Sequence, residues 1–303
     1  MENRFRGVFT AMITPFTDYN TVDYASLERI VNNQIEKGID GLVPCGTTGE
    51  SPTLSHEEHD RVIAQTIKYA KGRVPVIAGT GSNATSEAIR LSQHAQDAGV
   101  DAVLLVNPYY NKPTQKGLYL HFKAIADSVS VPCILYNIKG RTGVNLETDT
   151  LLRLAEKCRN IVAVKEASGN LVQMEDVIKR KNKPDFSVLS GDDNLSLDLI
   201  KMGGDGVISV ASNLFPGEMK DMIHSALDGN WERAEKLNNW FHEFFKVCFV
   251  ETNPIPIKTA MAEFGHCKEI FRLPLCTLES DEHRNKLISC IQRMKNESEE
   301  GRI

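Results

Sequence analysis

Two hydrophobic rhythms alternate along the chain. Short apolar runs rich in strand-forming residues are each followed by a longer stretch in which apolar positions recur every three to four residues, the spacing of a helix with one buried face. Gly7 to Phe16 reads as the first strand, and Asp23 to Glu36, with Leu27, Ile30, Val31 and Ile35 at helical spacing, as the helix behind it, closed by Gly38. Ile39 to Cys45 is the second apolar run, and Ser55-His56-Glu57-Glu58 has the form of a capping box that opens a helix running to about Tyr69. Further strands are predicted at Val74 to Ala78, Ala102 to Val106, Cys133 to Tyr136, Ile161 to Val164, Phe186 to Leu189 and Gly206 to Val210. Helices are predicted between them at Thr85 to Ala98, Thr114 to Val129, Glu147 to Lys157, Asn170 to Lys179 and Leu195 to Met202.

Eight strands, each followed by a helix, in about 225 residues is the count of a (β/α)8 TIM barrel, an α/β fold. An open doubly wound sheet is the competing reading, but it usually has fewer strands and a glycine-rich phosphate loop, and no G-x-G-x-x-G or Walker pattern occurs. After Asp228 the strand signals stop, and Trp231 to Phe249, Ile257 to Phe264 and Asp281 to Lys295 read as helical. The expected organisation is a barrel over residues 1–228 that carries the active site, with a C-terminal helical appendage over 229–303.

Composition narrows the class only a little. With 303 residues, 41% hydrophobic and 25% charged, the chain is that of a soluble globular protein. A net charge of -5 with scattered acids argues against a nucleic-acid partner. The apolar runs are too short to span a bilayer, and Met1 to Phe16 has no signal-peptide pattern, so no membrane association is expected. Seven cysteines without a C-x-x-C pair read as reduced thiols in a cytoplasm and make structural zinc improbable.

One residue breaks the pattern of the strands. The run Ile161-Val162-Ala163-Val164 ends in Lys165, and the period of two in a strand puts that lysine on the same face as Ile161 and Ala163. A buried lysine must find a partner, reach water or lose its proton, and a neutral amine can attack a ketone to form a Schiff base. The plain alternative is a strand end whose lysine snorkels outward or pairs with Glu166.

Chemistry in such a barrel sits at the carboxyl ends of the strands, and the other unusual residues fall there. They are Gly46-Thr47-Thr48-Gly49-Glu50, Asn107-Pro108-Tyr109-Tyr110-Asn111, Tyr136-Asn137 with Gly140-Arg141-Thr142-Gly143, Gly191-Asp192-Asp193, and Ile208-Ser209. Each has a structural alternative as a turn, a packing aromatic or a loop cation. Together they are complementary: threonines between glycines suit a small carboxylate, tyrosines near a lysine can move protons, and an arginine can grip a second carboxylate. A site for a keto acid and a second carboxylate-bearing molecule is the reading.

On these motifs the sequence resembles the dihydrodipicolinate synthase family, within the pyruvate-dependent class I aldolase superfamily that includes N-acetylneuraminate lyase. The resemblance runs through Thr14-Pro15-Phe16, Gly46 to Glu50, Gly79-Thr80-Gly81, Pro108 to Asn111, Tyr136-Asn137, Arg141-Thr142-Gly143, Lys165-Glu166-Ala167, Ser190 to Asp193, Gly206 to Val210 and Asn253 to Lys258. It implies that Lys165 forms the Schiff base with pyruvate and that Tyr136 is the acid/base, in a proton relay with Thr47 and with Tyr110 from a neighbouring subunit of a homotetramer. Thr47 and Thr48 would receive the pyruvate carboxylate and Arg141 that of L-aspartate 4-semialdehyde, with Gly191 and the Ile208 backbone at the site. The implied reaction gives 4-hydroxy-tetrahydrodipicolinate in the diaminopimelate route to L-lysine. It needs no metal or organic cofactor, since the lysine supplies the electron sink. A sugar-acid aldolase would share Lys165 and Tyr136, whereas a non-catalytic scaffold barrel would have lost them.

One position departs from the family pattern: Lys139 stands where proline is usual, which leaves the placement of Arg141 open. The resemblance also implies a feedback site for L-lysine at Ser51, His56, His59, Asn83, Glu87 and Tyr109. The plain reading there is an exposed helix start with Asn83 capping the next helix. His56-Glu57-Glu58-His59 fits no zinc-protease spacing.

Overall fold

Proline decides where the ladders stop. Pro44 and Pro75 have no N–H to donate, so the second strand shrinks to Gly41–Val43 and the third starts late, at Ile77–Gly79 instead of the expected Val74 to Ala78. The computed structural model describes residues 5–301, so the outermost residues of the two expected regions, 1–4 and 302–303, lie outside the described residues. The strands are β1 (Gly7–Ala11), β2 (Gly41–Val43), β3 (Ile77–Gly79), β4 (Ala102–Val106), β5 (Cys133–Asn137), β6 (Ile161–Glu166), β7 (Ser187–Ser190) and β8 (Gly206–Ser209). They pair in parallel in the order β2-β1-β8-β7-β6-β5-β4-β3. The remaining seam, between β2 and β3, is held by one parallel bridge, Leu42 to Val76, and by single bonds from Leu42 N to Pro75 O and from Gly79 N to Pro44 O, each 3.0 Å. Gly79 is required at this seam, because a Cβ there would lie 2.3 Å from the Cys45 carbonyl oxygen.

The helices in chain order are α1 (Tyr24–Glu36), α2 (His56–Ala70), α3 (Thr85–Ala98), α4 (Gln115–Ser128), the single turn α5 (Lys139–Thr142), α6 (Thr148–Lys157), α7 (Leu171–Arg180), α8 (Ser196–Lys201), α9 (Pro216–Leu227), α10 (Trp231–Val247), α11 (Ile255–Glu263) and α12 (Asp281–Glu299). The predicted capping box at α2 forms with both of its bonds, Ser55 Oγ accepting from Glu58 N and Glu58 Oε2 from Ser55 N. Asn83 does not cap α3. Ala84 holds the cap position, the hydroxyl of Ser82 accepts from its N–H, and the Asn83 carbonyl is occupied by the side chain of Asn111.

Two apolar clusters follow from the two faces of the strands. The inner one takes at least one residue from every strand, among them Phe9, Val43, Ile77, Leu104, Ile134, Ala163, Leu189 and Ile208, and fills the barrel; the outer one lies between sheet and helices. In β6 the expected alternation fails at one point. Cys133 pairs with Ile161 but Ile134 pairs with Ala163, so Val162 is an extra residue in its strand. Ile161 therefore belongs to the outer cluster and does not share the face of Ala163 and Lys165. The bulge shifts the alternation just before the lysine. Beyond the barrel, α10 packs on the N-terminal end of α9 through edge-on rings, with Phe215, the residue that caps α9, 5.4 Å from Trp240 and 5.2 Å from Phe244.

Candidate active site

After the bulge, register sets the geometry. Tyr136 and Lys165 are direct partners across β5 and β6, and the ammonium nitrogen lies 4.3 Å from the centre of the phenol ring. Lys165 is only 6% exposed. Desolvation lowers its pKa to about 8, while Asp192 and Asp193 pull it upward and Arg141 downward. Burial raises the phenol of Tyr136 to about 12, and the side chain of Thr47 hydrogen-bonds to it. Lys165 does not pair with Glu166, whose carboxylate accepts from Asn137, Ser168 and Gln173 instead.

A small cavity opens beside the amine, with Thr47, Thr48, Tyr136, Arg141, Gly191 and Asn253 among its walls. Gly191 must be glycine: a Cβ would lie 2.4 Å from the Ala167 Cβ and 2.9 Å from the Lys165 Cε. Ile208 sits in the inner core, and Val210, two residues on, lines the cavity. Arg141 is anchored from an unexpected direction, since its guanidinium donates to the backbone carbonyl of Asn253 at 3.0 Å. Lys139 is the first residue of α5, the position where a proline loses no intrahelical bond, and lysine starts the same turn. The orientation of Arg141 thus comes from the C-terminal region.

Sequence reasoning gave no role to three residues of the site, two of which, Asp192 and Asp193, it had placed at a strand end. Asn253 donates from its side chain to Thr48 Oγ1 at 3.0 Å, so one residue holds both Thr48 and Arg141. It lies in a matched stretch of the helical tail, but nothing in the pattern placed it at the barrel mouth. Asp192 lines the cavity, and Asp193 accepts from the N–H groups of Val210 and Ala211 at 3.0 and 2.9 Å, tying the β7 loop to the end of β8. Burial raises the pKa of both carboxyls. Their position straight after Gly191 at a strand end was the available signal.

Tyr110 lines neither this cavity nor its neighbour; it is 90% exposed and has φ +71°. The neighbouring pocket, about 370 Å³, shares Gly46, Thr47, Tyr136, Ile138 and Arg141 with the lysine cavity. Ser51, His56, His59, Glu87 and Tyr109 line it, whereas Asn83 does not. His56 Nε2 lies 2.8 Å from Glu87 Oε1, and the hydroxyl of Ser82 donates to the other oxygen; Ser82 first, then His56, lower the Glu87 pKa. His59 is buried and its Nε2 is taken by the Gly79 carbonyl at 2.9 Å.

An enclosed amine of lowered pKa beside a phenol, at the carboxyl end of a (β/α)8 barrel, is the equipment of a class I aldolase-type lyase. The class narrows to a family by comparison. The model of the dihydrodipicolinate synthetase family matches residues 4–294, and the chain belongs to that family. It is 49% identical over 289 residues to 4-hydroxy-tetrahydrodipicolinate synthase of Aquifex aeolicus (strain VF5), covering 95% of this chain and 97% of the relative. The crystal structure of the chloride-inhibited dihydrodipicolinate synthase from Acinetobacter baumannii complexed with pyruvate superposes with a TM-score of 0.93 at 44% identity, covering 96% of this chain and 99% of the other. A DHDPS from Cyanidioschyzon merolae with lysine bound gives 0.94 at 41% identity, covering 97% and 99%. Among the described residues no helix is long and apolar enough to cross a membrane.

Proposed function

We propose that the chain condenses pyruvate with L-aspartate 4-semialdehyde to give 4-hydroxy-tetrahydrodipicolinate, with Lys165 as the imine-forming residue. The observation that carries this reading is a buried lysine, its pKa lowered to about 8, 4.3 Å from the ring of Tyr136. The neutral Lys165 amine adds to the ketone carbon of pyruvate, and Tyr136 delivers a proton so that the oxygen leaves as water. The resulting iminium withdraws electrons from the methyl carbon, which gives up a proton and becomes the nucleophilic end of an enamine. That carbon attacks the aldehyde. The amino group of the semialdehyde then displaces the lysine, closing the ring and restoring the free amine. Thr47 and Thr48 hold the pyruvate carboxylate, Arg141 holds that of the second substrate, and Gly191 leaves room for the adduct.

Borohydride reduction in the presence of pyruvate tests the chemistry. A stable adduct on Lys165, absent in Lys165→Met, is expected, and an unmodified peptide would remove the mechanism. Turnover with aspartate semialdehyde against sugar acids then separates the synthase from a sugar-acid aldolase; preference for the polyols would overturn the assignment.

The active form in this reading is a homotetramer in which Tyr110 serves the site of another subunit. Its exposure beside a left-handed backbone angle, outside its own chain's cavities, supports this. Sedimentation velocity is expected to give four subunits, and a fully active monomer would exclude the role. Its seven free thiols fit a cytoplasmic enzyme that remains in the supernatant after cell lysis; recovery in the membrane fraction would exclude that location. L-Lysine is the ligand proposed for the 370 Å³ pocket, where Glu87 would receive its ammonium group.

A further inference from the structure

Beneath the turn Gly46–Glu50 lies an ion pair that takes no part in the chemistry described so far. Glu50 Oε1 and Lys258 Nζ are 2.5 Å apart and both side chains are fully buried. Lys258 projects from α11, 208 residues further along the chain, between the rings of Phe16 and Phe271, 4.1 and 5.1 Å from their centres. The second Glu50 oxygen accepts from the backbone N–H of Arg272 at 3.3 Å. The side chain of Arg272 forks onto both oxygens of Glu58 and also reaches the carbonyls of Thr53 and Asn20.

We propose that Glu50 and Lys258 are positioning residues for substrate carboxylate binding, a pair that pins the threonine turn to the C-terminal helix carrying Asn253 at its approach. The turn needs pinning because Cys45 and Glu50, at its two ends, have φ of +57° and +53°, a region that side-chain-bearing residues rarely adopt. Within the turn, the hydroxyl of Thr14 holds the Gly49 carbonyl at 2.7 Å. Outside it, Asn253 bonds Thr48 and Arg141, and Asn253 is five residues from Lys258. The pair therefore fixes the distance between the turn and the residue that orients both carboxylate-binding side chains. Stability alone does not account for it, since a buried ion pair is commonly replaceable by apolar side chains of similar volume without loss. An apolar pair would fill the space but would not direct the turn, because hydrophobic contact has no preferred direction.

The proposal rests on the reading of Thr47 and Thr48 as pyruvate ligands, and the experiment keeps the two apart. Full-length wild type, Glu50→Gln, Lys258→Met and the double variant Glu50→Leu/Lys258→Met are compared by thermal melting, by pyruvate KM and kcat, and by the pyruvate dependence of borohydride trapping on Lys165. Each single variant is expected to melt lower, since it leaves one group unpaired in the interior. The double variant is expected to melt close to wild type and still show a pyruvate KM raised about tenfold, the worth of roughly one charge-assisted hydrogen bond, with kcat at saturation changed less than KM. A folded double variant with wild-type KM overturns the positioning role, as does a loss of kcat that follows melting temperature with KM unmoved. Should the double variant fail to fold, Glu50→Gln decides, because it keeps the volume and the bond from Arg272: an unchanged pyruvate KM overturns the proposal. Wild type that traps no pyruvate removes the functional reading and this one with it. Normal trapping beside an unaltered double variant removes only the pair's role.

Discussion

Burial, more than any partner, sets the proton on Lys165. With its pKa near 8 in the folded chain, about one amine in ten is neutral at pH 7, against fewer than about one in a thousand for an ordinary lysine. The limiting rate of imine trapping is therefore expected to rise with pH and level off above about 8; a rate that goes on rising without levelling off up to about pH 10 would exclude the lowered amine. Asp192 holds part of the charge on the amine, so Asp192→Asn is expected to move the midpoint to lower pH. Replacing Tyr136 by Phe removes the proton shuttle, and kcat is expected to fall by about 10²- to 10⁴-fold while the adduct on Lys165 still forms. The same lowered pKa has a sign in stability. Between about 8 and 10.5 the unfolded chain holds a proton that the folded chain has released, so this group's contribution to stability rises with pH across that window. Lys165→Met is expected to flatten that rise in urea midpoints. The lysine was legible because a cation ending an apolar strand is an anomaly in one stretch of sequence. Asn253, which orients two site residues, was not, since a lone amide in a helical tail has no local anomaly to display.

At the scale of elements, local chemistry was read well where the cause was local. The capping box at α2 needs only four consecutive residues, and it forms as expected. The strand order follows from alternation, but the ends of β2 and β3 depend on which N–H groups their neighbours require, and Pro44 and Pro75 cut both short. The bulge at Val162 was out of reach for the same reason, because a register shift is a property of two strands and a period of two is a property of one. Between elements, the Glu50–Lys258 pair joins a turn to a helix 208 residues away. Removing one partner leaves the other unpaired, which costs about 3–5 kcal/mol in comparable buried pairs.

The whole molecule places two pockets against one set of walls. Tyr136, Thr47 and Arg141 face both the lysine cavity and the 370 Å³ pocket, so an occupant of the second touches residues that serve the first. Titration calorimetry with L-lysine is expected to show saturable binding that Glu87→Ala weakens about tenfold or more, as the loss of a charged partner would. Absence of heat together with unchanged turnover at high lysine would exclude the ligand. The fold was legible as a count of alternations, whereas Asn253 meeting Thr48 across 205 residues emerges only when the chain closes on itself. That closure also imposes an order in time. A chain emerging from the ribosome presents Lys165, Tyr136 and all eight strands before Asn253 and Lys258 exist, so the amide that orients Thr48 and Arg141 is made after the amine it serves. The hold on Thr48 and Arg141 is complete only once residue 253 has been made, 88 residues after the lysine.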